Sequence, residues 1–239
     1  MKKTALITGA SRGIGAAIAL KLSENGFFTV INYYKNTEKA EDVAEKTGGI
    51  AIQADVSDLE QVKNMVKTAS VETGGIDVLI NNAGISVSGL FTDITFEQEQ
   101  KLWGVNVSGV FNCTKCVLPY MINKKSGRII NISSMWGQVG ASCEVHYSAS
   151  KAAVIGFTKA LAKEVGPSGI NVNCIAPGII MTDMNNCYSE ETLEELREET
   201  PLEKLGKPED IADMAAFLAS DSSNFITGQI IGINGGFII

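Results

Sequence analysis

Short apolar, β-branched runs alternate along the chain with longer stretches in which apolar positions recur every three or four residues. Seven of the short runs, TALIT, FTVINY, IAIQAD, DVLINNAG, RIINIS, INVNCIAPG and IIGINGG, read as strands buried on both faces. Helical spacing covers 14–25, 37–47, 58–73, 95–106, 107–125, 148–165 and 208–219. Strand–helix alternation with short connections predicts right-handed βαβ units. The fold class is therefore α/β, a doubly wound parallel sheet of seven strands flanked by helices. No linker or repeat interrupts the pattern, so residues 1–239 read as one domain.

One stretch departs from the alternation. Residues 179–207, after the sixth strand, form no strand before the next helix, and SEETLEELREE reads as a short acidic helix with Ser189 near its N-cap. A solvated surface helix would account for it. Its place beyond a strand's C-terminal end, where α/β sheets bind ligands, favours a lid.

Composition narrows the classes. Hydrophobic residues make up 45% of the 239, enough for a sizeable core. A net charge of −7 argues against nucleic acid, although Lys124, Lys125 and Arg128 leave docking of an acidic partner open. The basic start MKKTALITGAS has too short an apolar run for a secretion signal, and no apolar segment approaches the ~18 residues of a membrane span. Cys113, Cys116, Cys143, Cys174 and Cys187 read as reduced thiols of a cytoplasmic protein. Cys113 and Cys116 have redox spacing but lie inside a helical stretch, so they read as structural. No metal site is expected, and the lone His146 has no neighbours at ligand spacing.

TGASRGIG follows the first strand and opens the first helix. Gly9, Gly13 and Gly15 would let the backbone approach an anion, and the helix start at Ser11, Arg12 and Ile14 offers N–H groups to a pyrophosphate. A tight turn without ligand is the alternative. The second strand ends INYYKN, with no acid before Glu38 to take the ribose hydroxyls. Arg12 and Lys35, beside Tyr34, suit a 2′-phosphate, so NADP(H) is the expected cofactor. Asp55 and Val56 would meet its adenine.

TGASRGIG, NNAG, Asn106, Ser134, YSASK and APGIIMTDM stand in this order, and with them the chain resembles the short-chain dehydrogenase/reductases over nearly its whole length. The resemblance implies a Rossmann-type fold and a catalytic set of Asn106, Ser134, Tyr147 and Lys151. Tyr147 would give its phenolic proton to a carbonyl oxygen. A free phenol titrates near ~10, and Lys151, one turn on, would favour the phenolate. Ser134 would hydrogen-bond the substrate oxygen, and Asn106 would hold a water for reprotonation. Asn82, Ala83, Gly84, Pro177, Gly178, Ile180 and Thr182 would line the cofactor, with Asn82 bracing the sheet and Gly84 leaving room near a ribose. A homodimer or homotetramer paired through helices 95–125 and 148–165 is also implied.

The chain looks like the bacterial 3-oxoacyl-[acyl-carrier-protein] reductases of fatty-acid biosynthesis, which convert 3-oxoacyl to 3-hydroxyacyl thioesters. It departs from them at Ser168, where many carrier-dependent members have an Arg for the acidic carrier. The loop with Trp136, Cys143 and Glu144 instead resembles reductases of the 5-aminopentanone group on elongation factor P. There Glu144 would pair an ammonium and Trp136 form a wall. Alternatively, Trp136 packs under the lid and Glu144 caps a helix. His146 is expected to point away from Tyr147, toward the loop or a partner chain. A nucleotide-sugar epimerase would need a larger C-terminal region, and a non-catalytic NADP(H) sensor would be expected to lose Tyr147, Lys151 or Ser134.

Overall fold

The computed structural model describes residues 2–182 and 189–239; Cys187 and the middle of the expected lid, 183–188, lie outside the described residues. Seven strands, β1 (Thr4–Ile7), β2 (Phe28–Tyr33), β3 (Ile50–Gln53), β4 (Val78–Asn81), β5 (Gly127–Ile132), β6 (Ile170–Pro177) and β7 (Ile230–Ile233), form one sheet. Its order is β3-β2-β1-β4-β5-β6-β7, and every pairing is parallel. The order reverses between β1 and β4. Crossovers leave on opposite faces there and open a crevice at the strands' C-terminal ends.

Alternate strand residues feed two cores. Ala5, Ile7, Ile80 and Ile130 pack with α1 (Gly13–Glu24) and α9 (Pro208–Ala219). Leu6, Leu79 and Ile129 pack on the other face with α3 (Leu59–Thr73), α5 (Gly109–Lys124) and α7 (Val145–Val165). Burial on both faces explains why the strands are continuous apolar runs rather than alternating ones. The remaining helices are α2 (Thr37–Thr47), α4 (Phe96–Trp103), α6 (Trp136–Val139) and α8 (Glu190–Glu198).

Three boundaries differ from the sequence pattern. The 95–106 and 107–125 stretches do not separate: a π-helical turn, Gly104–Ser108, joins α4 to α5. The four-residue α6 has no periodicity to detect. Helix α7 begins at Val145 rather than 148, because Ser148 N–H already donates to Glu144 C=O at 2.8 Å.

Ser189 caps α8, accepting from Thr192 N–H at 3.1 Å. The excursion holding α8 is closed at its base by Ile180 and Gly206, with Met181 N–H donating to Gly206 C=O and Gly206 N–H to Ile179 C=O, both at 2.9 Å. The basic cluster is largely committed internally: Lys124 pairs with Asp77, and Arg128 donates to Asn171 and Asn224. Among the described residues, no helix is long and apolar enough to cross a membrane.

Candidate active site

The glycine turn after β1 meets the NNAG segment after β4 in the crevice. A Cβ on Gly9, whose φ is +62°, would come 2.8 Å from Ala83 Cα, and one on Gly15 would come 2.5 Å from Asn82 Nδ2. Asn82 Nδ2 donates to Thr8 C=O at 2.9 Å and to Gly9 C=O at 3.1 Å. Thr8 Oγ1 accepts from the N–H groups of Asn82 and Ala83, both at 3.0 Å. Asn82 therefore braces the turn, whereas Asn81 ties the sheet to α5 through Thr114 and to β5 through Asn131.

These residues fit a dinucleotide pyrophosphate. Helix α1 starts behind Arg12 with no side-chain cap and no acid in its first turn, so its leading N–H groups and dipole favour an anion. Ser11 and Ile14 lie at this helix start, and Thr182 comes within 3.6 Å of where a Gly13 Cβ would stand. The start of the expected lid thus abuts the phosphate turn.

At the ribose edge, Tyr34 and Lys35 are exposed, with Lys35 Nζ 5.4 Å from the Tyr34 ring centroid; Arg12 is exposed too. Buried Asn32 occupies the end of β2, accepting from Gly9 N–H at 3.2 Å and donating to Ala54 C=O at 3.1 Å. Asn32 and Thr8 were missed as site residues; a polar side chain inside an apolar run was the available signal. The Asp55 carboxylate accepts from Ser57 N–H and Oγ, while the Val56 side chain is buried against Gly109 of α5.

On the side expected to face a nicotinamide, Gly178 N–H donates to Ile233 C=O at 2.9 Å, and a Cβ there would come 2.7 Å from Asn234 Cα. Pro177 C=O accepts from Met135 N–H. Ile180 is 4% exposed with its side chain in the core, so its main chain is what remains to face a cofactor.

The chemical residues converge on α7. Lys151 is 5% exposed; its Nζ donates to Ile132 C=O at 2.9 Å and lies 5.7 Å from the Tyr147 ring centroid. Burial lowers its pKa from 10.5 to about 8. A Cβ on Gly84 would come 3.3 Å from Lys151 Nζ, so this glycine keeps the approach to the ammonium open. Ser134 is buried at the end of β5, its Oγ accepting from Trp136 N–H at 3.1 Å. Ser133, not anticipated from sequence, donates to Lys151 C=O at 2.8 Å and ties β5 to the catalytic helix.

Asn106 stands in the π-turn, 1% exposed. Its side chain accepts from Ile85 N–H and donates to Ile85 C=O, both at 2.9 Å, and donates to Ser150 Oγ at 3.1 Å. It joins α7 to the segment after β4.

Of the substrate-loop residues, Trp136 packs edge-on against Phe237, with centroids 5.9 Å apart. Cys143 is exposed. Glu144 is the N-cap residue of α7 but makes no side-chain capping bond; its carboxylate accepts from Ser86 Oγ at 3.0 Å and from Ser88 Oγ. His146 turns to the loop and stacks on Phe91 at 4.9 Å. Burial raises the pKa of both Cys113 and Cys116, opposite to what disulfide exchange requires.

A buried lysine thus lies one helical turn from a tyrosine, in a crevice that also holds a glycine turn and an uncapped helix start. Comparison with known proteins places it: the enoyl-(acyl carrier protein) reductase family profile matches residues 9–238. The chain is 46% identical to the 3-oxoacyl-[acyl-carrier-protein] reductase FabG of Staphylococcus aureus (strain N315), covering 99% of this chain and 98% of that one. It is 42% identical to the 3-oxoacyl-[acyl-carrier-protein] reductase of Synechocystis sp., over 99% and 97%. It is also 42% identical to the uncharacterized oxidoreductase YmfI of Bacillus subtilis, over 99% of both chains. The chain belongs to the short-chain dehydrogenase/reductase family and is an oxidoreductase of that family.

Proposed function

We propose that the protein reduces the 3-oxo group of an acyl thioester to the 3-hydroxyl with NADPH. The observation that carries this reading is Lys151, buried one helical turn from Tyr147 with its pKa drawn down to about 8. Full-length likeness to reductases named for that substrate supports it. NADPH is favoured over NADH by Arg12 and Lys35 at a ribose edge where β2 closes with Asn32 and Tyr33 and offers no acid.

Bound NADPH supplies the hydride to the carbonyl carbon. Tyr147 Oη donates the proton that completes the alcohol, and Ser134 Oγ donates a hydrogen bond to the oxygen as charge develops on it. The Lys151 ammonium favours the tyrosinate left behind. Asn106 holds the Ile85 segment to α7, where a relay water would reprotonate the pair. The α8 segment, closed at Ile180 and Gly206, would cover the crevice.

The amine-bearing ketone of modified elongation factor P has less support, because the Glu144 carboxylate already accepts from two serine hydroxyls. We also infer a cytoplasmic protein of one domain acting as a homodimer or homotetramer; the free thiols of Cys113, Cys116, Cys143 and Cys174 support the compartment alone. The test is NADPH oxidation with acetoacetyl carrier protein and with aminopentanonylated elongation factor P side by side. The thioester should be turned over faster, and Tyr147→Phe should lower kcat by about 10²–10⁴ while NADPH still binds. No turnover with either, despite NADPH binding, would leave a sensor.

A further inference from the structure

Residues 85–91, after β4, run along the N-terminal end of α7 and are held to it at four points. Gly89 N–H donates to Cys143 C=O at 2.9 Å, and the Phe91 ring stacks on His146 with an interplanar angle of 9°. Both carboxylate oxygens of Glu144 are used, Oε2 by Ser86 and Oε1 by Ser88. At its other end the segment is held by Asn106 on Ile85. These four contacts fall at residues 143–146, at the start of α7 and immediately before Tyr147. Cys143 adopts φ +60°, a left-handed conformation unusual for a side-chain-bearing residue, and the same turn delivers Glu144 to the serines.

We propose that Glu144 is a positioning residue for the reduction: its carboxylate clasps Ser86 and Ser88 and so sets the first turn of α7 and the height of Tyr147 in the cleft. This rests on the reductase reading above. Each carboxylate oxygen is engaged by one serine hydroxyl, so the position of the carboxylate is fixed by the strap. Glu144 therefore acts through the strap and shapes the cleft wall for any ketone alike.

A mutant cycle separates action through the strap from contact with substrate. Glu144→Ala and the double variant S86A/S88A should each lower kcat/KM for the acetoacetyl thioester about ten- to a hundredfold, the range a misplaced reacting group produces, with KM for NADPH unchanged. In the S86A/S88A background, Glu144→Ala should cost nothing further, because the partners are already gone. Glu144→Gln, which can still accept from one hydroxyl and donate to the other, should recover most of the activity on thioester and amine-bearing ketone equally. Multiplicative losses, or a Glu144→Gln defect confined to the amine-bearing ketone, would overturn the proposal. Hydrogen exchange of the 85–91 amides, Gly89 above all, reads the clasp without turnover. Exchange there should quicken at least about tenfold in Glu144→Ala and in S86A/S88A, and unchanged exchange would overturn the clasp. If the wild type reduces no ketone while exchange still responds, the reductase reading fails and the clasp stands.

Discussion

Lys151 sets the strongest conflict between stability and chemistry in the molecule. Its ammonium is taken out of water with one carbonyl as its direct acceptor, that of Ile132, and burial holds its pKa near 8 against an ordinary 10.5. Between those pH values the unfolded chain holds more protons than the folded one, so unfolding free energy rises with pH across the window. Below about pH 8 the lysine is charged in both states and the desolvation cost is fully present, at most about 3 kcal/mol. Lys151→Met, which keeps an apolar stem, should therefore be more stable than the wild type at pH 7 in denaturant titrations without cofactor. The difference should shrink as pH rises from 8 toward 10.5. A difference that stays constant would show that the ammonium is not desolvated. On the proposed mechanism the cost has a use, since a charge acts more strongly on a phenol out of water than in it.

At the level of elements, the strand–turn–helix unit from β1 to α1 is locked to β4 by contacts that leave no room for a side chain. Gly15→Ala would drive a methyl into Asn82 Nδ2 and Gly9 C=O, which would stand at 2.5 and 2.6 Å. It should destabilise the protein by about 1–3 kcal/mol and weaken NADPH binding in a fluorescence titration. Unchanged affinity would detach the turn from the cofactor. The seven strands and the long helices were legible because burial on both sheet faces writes continuous apolar runs, and helix faces write a period of 3.6. The glycine turn and the Tyr147–Lys151 pair were legible because few residue types allow that geometry and chemistry. The π-turn was hidden, since GVNVS carries no mark of its one-residue insertion. Glu144 stands at the N-cap of α7 without a side-chain capping bond, and its contacts to Ser86 and Ser88 were hidden because those partners are more than fifty positions away. No local spacing encodes that contact.

For the whole molecule, what remains to be met is the outer surface of α4, α5 and α7. Phe96, Phe111, Tyr120, Ile122 and Val145 are each at least 41% exposed there, and Phe111 stacks on Phe157 of α7 at 4.6 Å. Each chain carries a net charge of −7, so two copies repel at long range, and an interface built on this surface would draw on its apolar area. Screening the repulsion should tighten association, the opposite of what an interface of salt bridges would do. By light scattering, the wild type should have a mass of at least two 25.4 kDa chains, retained or raised at high salt. Phe111→Glu places a carboxylate in the stacked pair and should reduce the mass to that of one chain. Because α7 carries both Phe157, which stacks on Phe111, and the buried Lys151, dissociation should also lower kcat, since the helix that holds the proposed proton donor would lose its outer support. A monomeric wild type, or a Phe111→Glu variant of unchanged mass, would move assembly to another surface and uncouple it from α7.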